Sequence, residues 1–382
     1  MLTKTILATS VSLLLPLLLT APARCDEPAL SPLETMTELD AWSAAGQMSP
    51  GINIGNTLEN TARWETGWGN PPITKAYVQS LAGLGFKTVR LPVAWDTYAE
   101  NGRIPPDKFR RVAEVVDWIT DAGMFCVVNI HWDGGWIDSD VKERFPNTYH
   151  TFSPDAEARY RSYWEQISRF FAGKNQRLIF EALNEETDFA NEGSPQKAYA
   201  TLTRVNQLFI DTVRKTGGNN AQRLLIVTGY STDITKTCRG EYKLPTDTTS
   251  GKLFISVHYY TPWPFCGMNE DATWGKMMLT WGTPDDVRQL NELFDTMNDF
   301  CTRNNIPAFI GEFGVVSNKE SAARVRWMSA VASAAISRKM VPVLWDTGGE
   351  ISRRDPYTAS RDLMETLRIT QPHAATTSPS AR

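Results

Sequence analysis

The stretch LIFEALNE, residues 178–185, shows the pattern from which the fold can be predicted. Its first part is mostly apolar, as in a strand buried on both faces, and its last two residues are an amide and a carboxylate. A carboxylate at the end of a buried strand is costly unless it has a partner or a chemical role. We therefore interpret the stretch as a buried strand whose carboxyl end, Asn184-Glu185, faces a functional site.

Runs of the same kind recur along the chain, and helical patterns lie between most of them. There are eight, at residues 52–56, 87–93, 125–131, 178–185, 224–230, 253–260, 307–314 and 341–345. Eight strands that alternate with helices predict an α/β protein, a (β/α)8 TIM barrel in a single domain. Two flavodoxin-like domains would alternate in the same way, but no linker or change of composition divides the chain.

Three sequence signals predict where helices begin. Ser153-Pro154 and Thr283-Pro284 each place a capping residue before a proline that suits the first helical turn. Ser317 and Glu320 have the spacing of a capping box. The segment between the fifth and sixth predicted strands is short and has no clear helical pattern.

The composition narrows the possible functions. The 382 residues include 39 Lys and Arg against 43 Asp and Glu, and 42% are apolar, which is typical of a globular protein. The slight negative charge disfavours nucleic acid or an anionic membrane surface as a partner. Nine of the 13 tryptophans fall at or after predicted strand ends, and such flat rings suit a groove that binds sugars.

Residues 1–23 have the features of a secretion signal. Lys4 gives the positive start, residues 6–19 form an apolar run, and Ala21-Pro22-Ala23 is a small-residue cleavage site. The apolar run is shorter than the ~20 residues that a spanning helix needs. We expect an exported protein, extracellular or periplasmic, with no membrane association after cleavage.

The five cysteines are too few and too scattered for a disulfide scaffold, and none forms a CxxC pair. Cys238 and Cys266 lie in predicted loops. Whether these two pair after export is left open by the sequence.

Polar and aromatic residues collect at the carboxyl ends of the predicted strands, the face where (β/α)8 barrels carry their catalytic groups. The residues found there are Arg90, His131, Asn184, Glu185, His258, Tyr260, Glu312 and Trp345. Either glutamate alone could simply pair with an arginine at the barrel rim. A set spread over six strands favours a common active site.

Two carboxylates that face one cleft are sufficient to cleave a glycosidic bond. Arg90 would keep Glu312 ionised, with Tyr260 as a further hydrogen-bond donor, so Glu312 suits the nucleophile. Glu185 is then the acid/base, and the nearby negative charge helps it to retain its proton.

The neighbouring residues suit a sugar subsite. Asn184 is placed to bond a sugar 2-hydroxyl, a contact that strengthens in the oxocarbenium-like transition state, and Trp345 would floor the subsite of the reacting ring. A metal site built from His131, His258 and carboxylates is the alternative. The sequence has no HExxH, P-loop, GxSxG or strand-linked GxGxxG motif, and we predict neither a metal nor another cofactor.

Several short motifs, taken in order, point to a known family. They are GINIGNTL at 51–58, WGNP at 68–71, VRLPV at 89–93, NIH at 129–131, LIFEALNE at 178–185, TGGNN at 216–220, HYYTP at 258–262, IGEFG at 310–314 and WD at 345–346. The ordered set resembles glycoside hydrolase family 5, the retaining (β/α)8 endoglucanases of clan A. It looks closest to the bacterial cellulase and xyloglucanase branch.

The resemblance implies the same assignment, with Glu185 as the acid/base and Glu312 as the nucleophile. It also implies a set of residues around the cleaved sugar, namely Arg90, His131, Asn184, His258, Tyr260 and Trp345. From two of the matching motifs we add Asn56 and Trp68 to the substrate-binding residues. Glu181 resembles a family glutamate inside the same strand, which we interpret as structural.

Two positions depart from the family pattern. Trp132-Asp133 stands where many members have a second His and then Glu. Residues 344–348, LWDTG, stand where many members read WWDNG. Neither position touches the two glutamates, so the catalytic prediction stays intact. Both lie near the predicted substrate cleft, so these differences bear on the choice of polymer.

The sequence therefore predicts a secreted, monomeric, retaining endo-β-1,4-glucanase acting on a β-glucan. The predicted organisation is a signal peptide at 1–23, an extension at 24–40, the catalytic barrel at 41–370 and a disordered tail at 371–382. Xyloglucanase, mixed-linkage β-glucanase or β-mannanase activity at the same site is the first alternative. A carbohydrate-binding protein without turnover is the second.

Overall fold

The strands close into a parallel barrel in which each pairs with the next in sequence and the eighth pairs with the first. The computed structural model describes residues 33–137, 151–185, 189 and 192–370. The strands are β1 Gly51–Asn53, β2 Thr88–Leu91, β3 Phe125–Asn129, β4 Leu178–Glu181, β5 Leu225–Thr228, β6 Leu253–Tyr259, β7 Ala308–Phe313 and β8 Val341–Leu344. The predicted (β/α)8 barrel is confirmed.

Every predicted strand overlaps an observed one, but the observed strands end earlier. In the stretch 178–185, pairing ends at Glu181, so Asn184 and Glu185 lie at the start of the following loop. The same holds at the ends of β3 and β8, where His131 and Trp345 follow the last paired residue. These four residues thus lie just beyond the paired strands, whereas Arg90, His258 and Glu312 lie within β2, β6 and β7.

Helices cover the outside of the barrel. They are α1 Ala41–Ala45, α2 Lys75–Gly83, α3 Pro106–Asp121, α4 Pro154–Phe170, α5 Pro195–Lys215, α6 Ile234–Thr237, α7 Trp263–Cys266, α8 Pro284–Asn304, α9 Ser321–Ser337 and α10 Arg361–Thr370. Between β5 and β6 there is only the single turn α6 after a short 3-10 turn, as the weak helical pattern predicts.

Two of the three predicted helix starts are confirmed. The hydroxyls of Ser153 and Thr283 accept the backbone N–H groups of the first turns of α4 and α8. The predicted box of Ser317 and Glu320 is wrong, because α9 begins at Ser321 without a side-chain cap. The segment before α9 packs instead on the β6–α8 loop, where the ammonium of Lys319 donates to backbone carbonyls.

The core has an inner and an outer layer. Inward-facing residues of the strands, such as Val127, Ile226 and Phe309, pack with Met48 and the alanines of α1, so this short helix closes one end of the barrel. The larger outer layer fills the space between the strands and the surrounding helices. Because α1 closes one end of the barrel, a functional site has to lie at the opposite end.

The first observed helix precedes β1, and the last follows β8. Residue 41 starts α1 and residue 370 ends α10. In the preceding extension, Glu34 binds the ammonium of Lys174 at 2.9 Å. The predicted signal peptide and the predicted tail lie outside the described residues.

None of the helices in the described ranges is long and apolar enough to cross a membrane. Cys126, Cys238, Cys266 and Cys301 are free thiols. Cys266 is buried in α7, whereas Cys238 packs against α8 with its sulfur 3.8 Å from that of Met297. The structure therefore contains no Cys238–Cys266 disulfide.

Candidate active site

A cleft of about 960 Å³ lies at the carboxyl end of the barrel. Eight of the ten predicted site residues line it: Asn56, Trp68, His131, Asn184, Glu185, Tyr260, Glu312 and Trp345. The other two, Arg90 and His258, are buried beneath the cleft and bind its carboxylates. The structure thus brings all ten residues to one site.

Arg90, at the end of β2, holds the base of the site together. Its Nε donates to Glu181 at 2.6 Å, and its Nη1 donates to Glu312 at 2.8 Å and to Asn53 at 3.1 Å. Its Nη2 donates to Oδ1 of Asn184 at 2.9 Å. Because a guanidinium is planar with donors in fixed directions, these bonds fix β2 relative to β1, β4 and β7 and to the residues that follow β4.

Glu181 pairs with Arg90 beneath the cleft, in agreement with the prediction that Glu181 is structural. Its second oxygen accepts from the hydroxyl of Ser256 at 2.9 Å, and Asn129 donates to the oxygen that Arg90 also binds. Burial alone would lower the pKa of Arg90, but Glu181 and Glu312 raise it well above the usual range. The guanidinium is therefore permanently charged, and the buried ions are paired and hydrogen-bonded.

Glu312, on β7, is a buried carboxylate with two strong donors. Arg90 donates to Oε1, and the hydroxyl of Tyr260 donates to Oε2 at 3.0 Å. Burial raises the pKa of Glu312 more than the charges of His258 and Arg90 lower it. From the sequence we expect Arg90 to lower the pKa of Glu312. Arg90 does lower it, but burial raises this pKa by more.

Glu185 stands on the opposite side of the cleft with a side chain that is 53% exposed. Its Oε1 lies 2.7 Å from Nδ1 of His258. Burial would raise the pKa of Glu185, but the hydrogen bond and the charge of His258 lower it. This differs from the sequence-based expectation that Glu185 itself retains the proton. These opposite shifts in pKa favour the proton of the pair on His258.

His258 is fully surrounded at the end of β6. Burial alone would lower its pKa, but the charges of Glu312 and Glu185 and the hydrogen bond to Glu185 raise it. Its Nδ1 is also 3.8 Å from Oε2 of Glu312. A Cβ at Gly311 would lie 3.0 Å from Nε2 of His258, so the glycine of the GEF motif provides the space for the imidazole.

The two glutamates and His258 form a compact group. One carboxylate oxygen of Glu185, one of Glu312 and one ring nitrogen of His258 all lie within 4.8 Å of one another. Carboxyl groups about 5 to 5.5 Å apart are typical of retaining glycosidases, whereas inverting enzymes need about 6.5 to 9.5 Å. The same three side chains are spaced closely enough to hold a cation.

Flat rings and amides surround this group. The rings of His131 and Trp345 are nearly parallel, with centroids 5.7 Å apart. A Cβ at Gly55 would lie 2.9 Å from the indole of Trp345, so the ring packs directly on the backbone there. Burial and the charges of Arg90 and His258 hold the pKa of His131 well below its usual value, so its imidazole is neutral.

Asn56 and Trp68 lie at the rim. Asn56 has a left-handed backbone, with φ of 57°, and its carbonyl accepts from the amide of Asn70 at 3.1 Å. The side chain of Trp68 is 42% exposed and lines the cleft. Both residues are therefore placed to contact a ligand that extends beyond the central carboxylates.

The structure explains one departure from the family pattern. The carboxylate of Asp133 faces away from the cleft and accepts the backbone N–H groups of Trp95 at 2.6 Å and Thr97 at 2.9 Å. Burial raises the pKa of Asp133 to about 6. Trp132, the residue before it, lines the cleft instead.

Other cleft residues could be missed from the sequence. Glu59 lines the cleft and accepts the backbone N–H of Thr57 at 2.8 Å, and burial raises its pKa to about 7, but no motif marks it. Trp263 also lines the cleft, and its position after a predicted strand is the signal that could have found it. In contrast, Trp95, Trp136 and Trp281 are buried and structural.

Comparisons with known proteins agree with this geometry. Residues 50–350 match the family described as Cellulase (glycosyl hydrolase family 5). Endoglucanase A of Paenibacillus barcinonensis is 35% identical, with 82% of this chain and 84% of the relative covered. The xyloglucan-specific endo-beta-1,4-glucanase BoGH5A of Bacteroides ovatus is 30% identical, with 82% of this chain and 66% of that protein covered.

A similar solved structure is that of a GH5-4 broad specificity endoglucanase from Ruminococcus champanellensis with bound cellotriose. Its TM-score is 0.76 at 29% identity, and the match covers 88% of this chain and 99% of that one. The family match spans most of the chain, and the fold and the sequence similarity agree with it. The chain therefore belongs to glycosyl hydrolase family 5, the cellulases, and is a glycoside hydrolase.

Proposed function

We propose that this glycoside hydrolase is a secreted, retaining endo-β-1,4-glucanase that cleaves internal bonds of a β-glucan. The observation that carries the proposal is the pair of carboxylates, Glu185 and Glu312, whose oxygens lie within 4.8 Å in an extended cleft. The names of the relatives, endoglucanases and a xyloglucan-specific glucanase, support the substrate class. The signal-like pattern of residues 1–23 supports export.

In the first step Glu312 attacks the anomeric carbon and a glycosyl–enzyme ester forms. Arg90 and Tyr260 hold the attacking carboxylate in place through hydrogen bonds to its two oxygens. Glu185 gives a proton to the glycosidic oxygen, and the rest of the chain departs as an alcohol. The proton passes from His258 to Glu185 along their 2.7 Å hydrogen bond.

In the second step water replaces the departed sugar. Glu185, now ionised, takes a proton from the water, whose oxygen attacks the anomeric carbon and breaks the ester to Glu312. Two displacements at the same carbon restore the β configuration. The proton returns to the Glu185–His258 pair, so the site is ready for another cycle.

The other residues bind the reacting sugar. Because Oδ1 of Asn184 accepts from Arg90, the amide NH2 is left to donate to a sugar 2-hydroxyl, a contact that strengthens in the transition state. Trp345 presents an indole face for the ring, and the neutral imidazole of His131 can hydrogen-bond a hydroxyl. Asn56 and Trp68 bind sugars farther along the cleft.

The proposed function is tested by reducing-sugar release from carboxymethylcellulose, mixed-linkage β-glucan, xyloglucan and mannan. We expect activity on at least one glucan that disappears in Glu312→Ala and survives EDTA. Activity on mannan alone would keep the chemistry and contradict the specificity. A protein that binds these polymers without turnover would support the non-catalytic alternative, and loss of activity in EDTA would support a metal-dependent one.

The pH dependence of kcat/KM provides a second prediction. The nucleophile must be ionised, so the acidic limb follows the raised pKa of Glu312. The Glu185–His258 pair must hold a proton, and this proton resides on His258 with its raised pKa, so the alkaline limb follows the pair.

His258→Gln is expected to narrow this profile from both sides. Without the imidazolium, Glu312 loses a charge that lowers its pKa, so the acidic limb moves to higher pH. Glu185 must then hold the proton itself, and a carboxyl group has a lower ordinary pKa than histidine, so the alkaline limb moves to lower pH. An unchanged profile in the variant would contradict this proton assignment.

A further inference from the structure

Glu59 is a buried carboxylate in the wall of the cleft, and the two displacement steps give it no role. It lies in the loop after β1, lines the same cleft as Glu312 and is only 3% exposed. Burial raises its pKa to about 7, although backbone N–H groups and the charge of Arg353 lower it. Because a buried carboxylate costs free energy, an uncharged side chain would fill this space more cheaply.

Both oxygens of Glu59 bind the backbone of the turn that follows β1. Oε1 accepts the N–H of Asn56, and Oε2 accepts the N–H of Thr57 at 2.8 Å. Asn56 has a left-handed backbone with φ of 57°, a conformation that costs free energy for any residue except glycine. Since the carboxylate binds the N–H groups on both sides of the Asn56 α-carbon, it stabilises this conformation.

The carbonyl of Asn56 is held as well. The side-chain amide of Asn70 donates to this carbonyl at 3.1 Å and to the carbonyl of Thr347, in the loop after β8, at 3.0 Å. Gly55, the preceding residue, packs on the indole of Trp345. Residue 56 is thus fixed from both of its peptide groups, close to the tryptophan that floors the central subsite.

We propose that Glu59 is a positioning residue, which holds Asn56 in the conformation that presents its side chain to the sugar chain. The proposal rests on the glucanase function and adds a residue that acts through Asn56 without touching the substrate. Since the free protein already fixes Asn56, little conformational entropy is lost when its side chain binds a hydroxyl.

Glu59→Gln tests the proposal, because the amide keeps the size of the side chain but turns an NH2 group towards one of the two backbone donors. KM for cellopentaose is expected to rise about fivefold to tenfold, the usual scale for the loss of one hydrogen bond. We expect kcat to stay within about a factor of two. Asn56 lies at the rim, so its contact stabilises the bound substrate and the transition state alike.

A double-mutant cycle with Asn56→Gly separates positioning from any other role of Glu59. Glycine adopts a positive φ without support and has no side chain to position, so Asn56→Gly alone should give the same rise in KM. In that background, Glu59→Gln should raise KM by less than about twofold. Additive effects would show that Glu59 does not act through Asn56 and would overturn the proposal.

Glu65→Gln is the matched control. Glu65 lies in the same loop, is also buried and accepts the backbone N–H of Ile73 at 2.9 Å, but it is not among the residues that line the cleft. Its substitution is expected to lower Tm and to leave KM unchanged. If Glu59→Gln behaves in the same way, Glu59 is only structural and the proposal fails.

A fall in kcat with unchanged KM in Glu59→Gln would also overturn the proposal, because it would assign Glu59 to the chemical step. Calorimetric titration of cellopentaose into Glu312→Ala tests the site without turnover, and adding Glu59→Gln should weaken this binding by the same factor as KM. If the unmodified protein does not cleave cellopentaose, the glucanase function fails. The titration then still decides whether Glu59 sets the affinity for the sugar.

Discussion

Glu312→Ala is expected to lower kcat on a β-glucan by about four powers of ten or more, while the barrel remains folded. The variant lacks the carboxylate that is placed to form the glycosyl ester, and no other carboxylate in the described part of the chain accepts hydrogen bonds from both Arg90 and Tyr260. Arg90 keeps its partners Glu181, Asn53 and Asn184, so the substitution leaves no unpaired buried guanidinium.

Turnover, circular dichroism and thermal unfolding are to be measured for Glu312→Ala and for the control variant Glu292→Ala. Glu292 is an exposed glutamate on α8 that is not among the residues lining the cleft, and its loss should change none of these properties. A 2-deoxy-2-fluoro-β-cellobioside with a good leaving group should trap the ester, adding one 2-deoxy-2-fluorocellobiosyl unit to the peptide that contains Glu312. Near-normal activity of Glu312→Ala, or trapping at another residue, would contradict the assignment.

The positions of the site residues could be predicted because strand ends are visible in the sequence. Once a chain alternates strands and helices eight times, parallel pairing brings residues as distant as Arg90 and Glu312 to one face. The site residues include charged and amide side chains that come directly after an apolar run. This combination is rare enough to be informative. The contact between them, at 2.8 Å, is therefore foreseeable from the topology.

The protonation order could not be predicted in the same way. From the sequence, Arg90 beside Glu312 indicates a lowered pKa, but the depth of burial that raises it depends on the packing of the whole barrel. The hydrogen bond between His258 and Glu185 likewise depends on a side-chain rotamer. Sequence reasoning identifies which groups titrate together, whereas their environment decides which one holds the proton.

Predictions from local sequence patterns were wrong where tertiary contacts determine the local structure. Ser317 and Glu320 have the spacing of a capping box, yet Val316 donates to the carbonyl of Cys266, and this contact delays the start of α9. Asp133 looked like a cleft residue next to His131, yet its carboxylate binds the loop after β2. In both cases the contact partner lies on a different loop, at a distance that no local pattern reports.

Glu185→Ala is expected to make the rate depend strongly on the leaving group. On a β-glucan the departing alkoxide needs a proton, so kcat should fall by about three to five powers of ten. On β-cellobiosyl fluoride the first step needs little acid assistance, so the glycosyl ester on Glu312 should still form at a substantial rate. The second step lacks its base and should then limit turnover.

Azide distinguishes this mechanism from a structural role of Glu185. A small anion that needs no general base should enter the space left by the carboxylate, attack the ester and restore turnover on the fluoride. Because the ester is cleaved with a second inversion, the product should be β-cellobiosyl azide. An α-azide would indicate attack without a Glu312 ester, and equal losses on glucan and fluoride would remove Glu185 from the acid/base role. Glu292→Ala, treated in the same way, should show neither the loss nor the rescue, because Glu292 is exposed on α8 and is not among the residues that line the cleft.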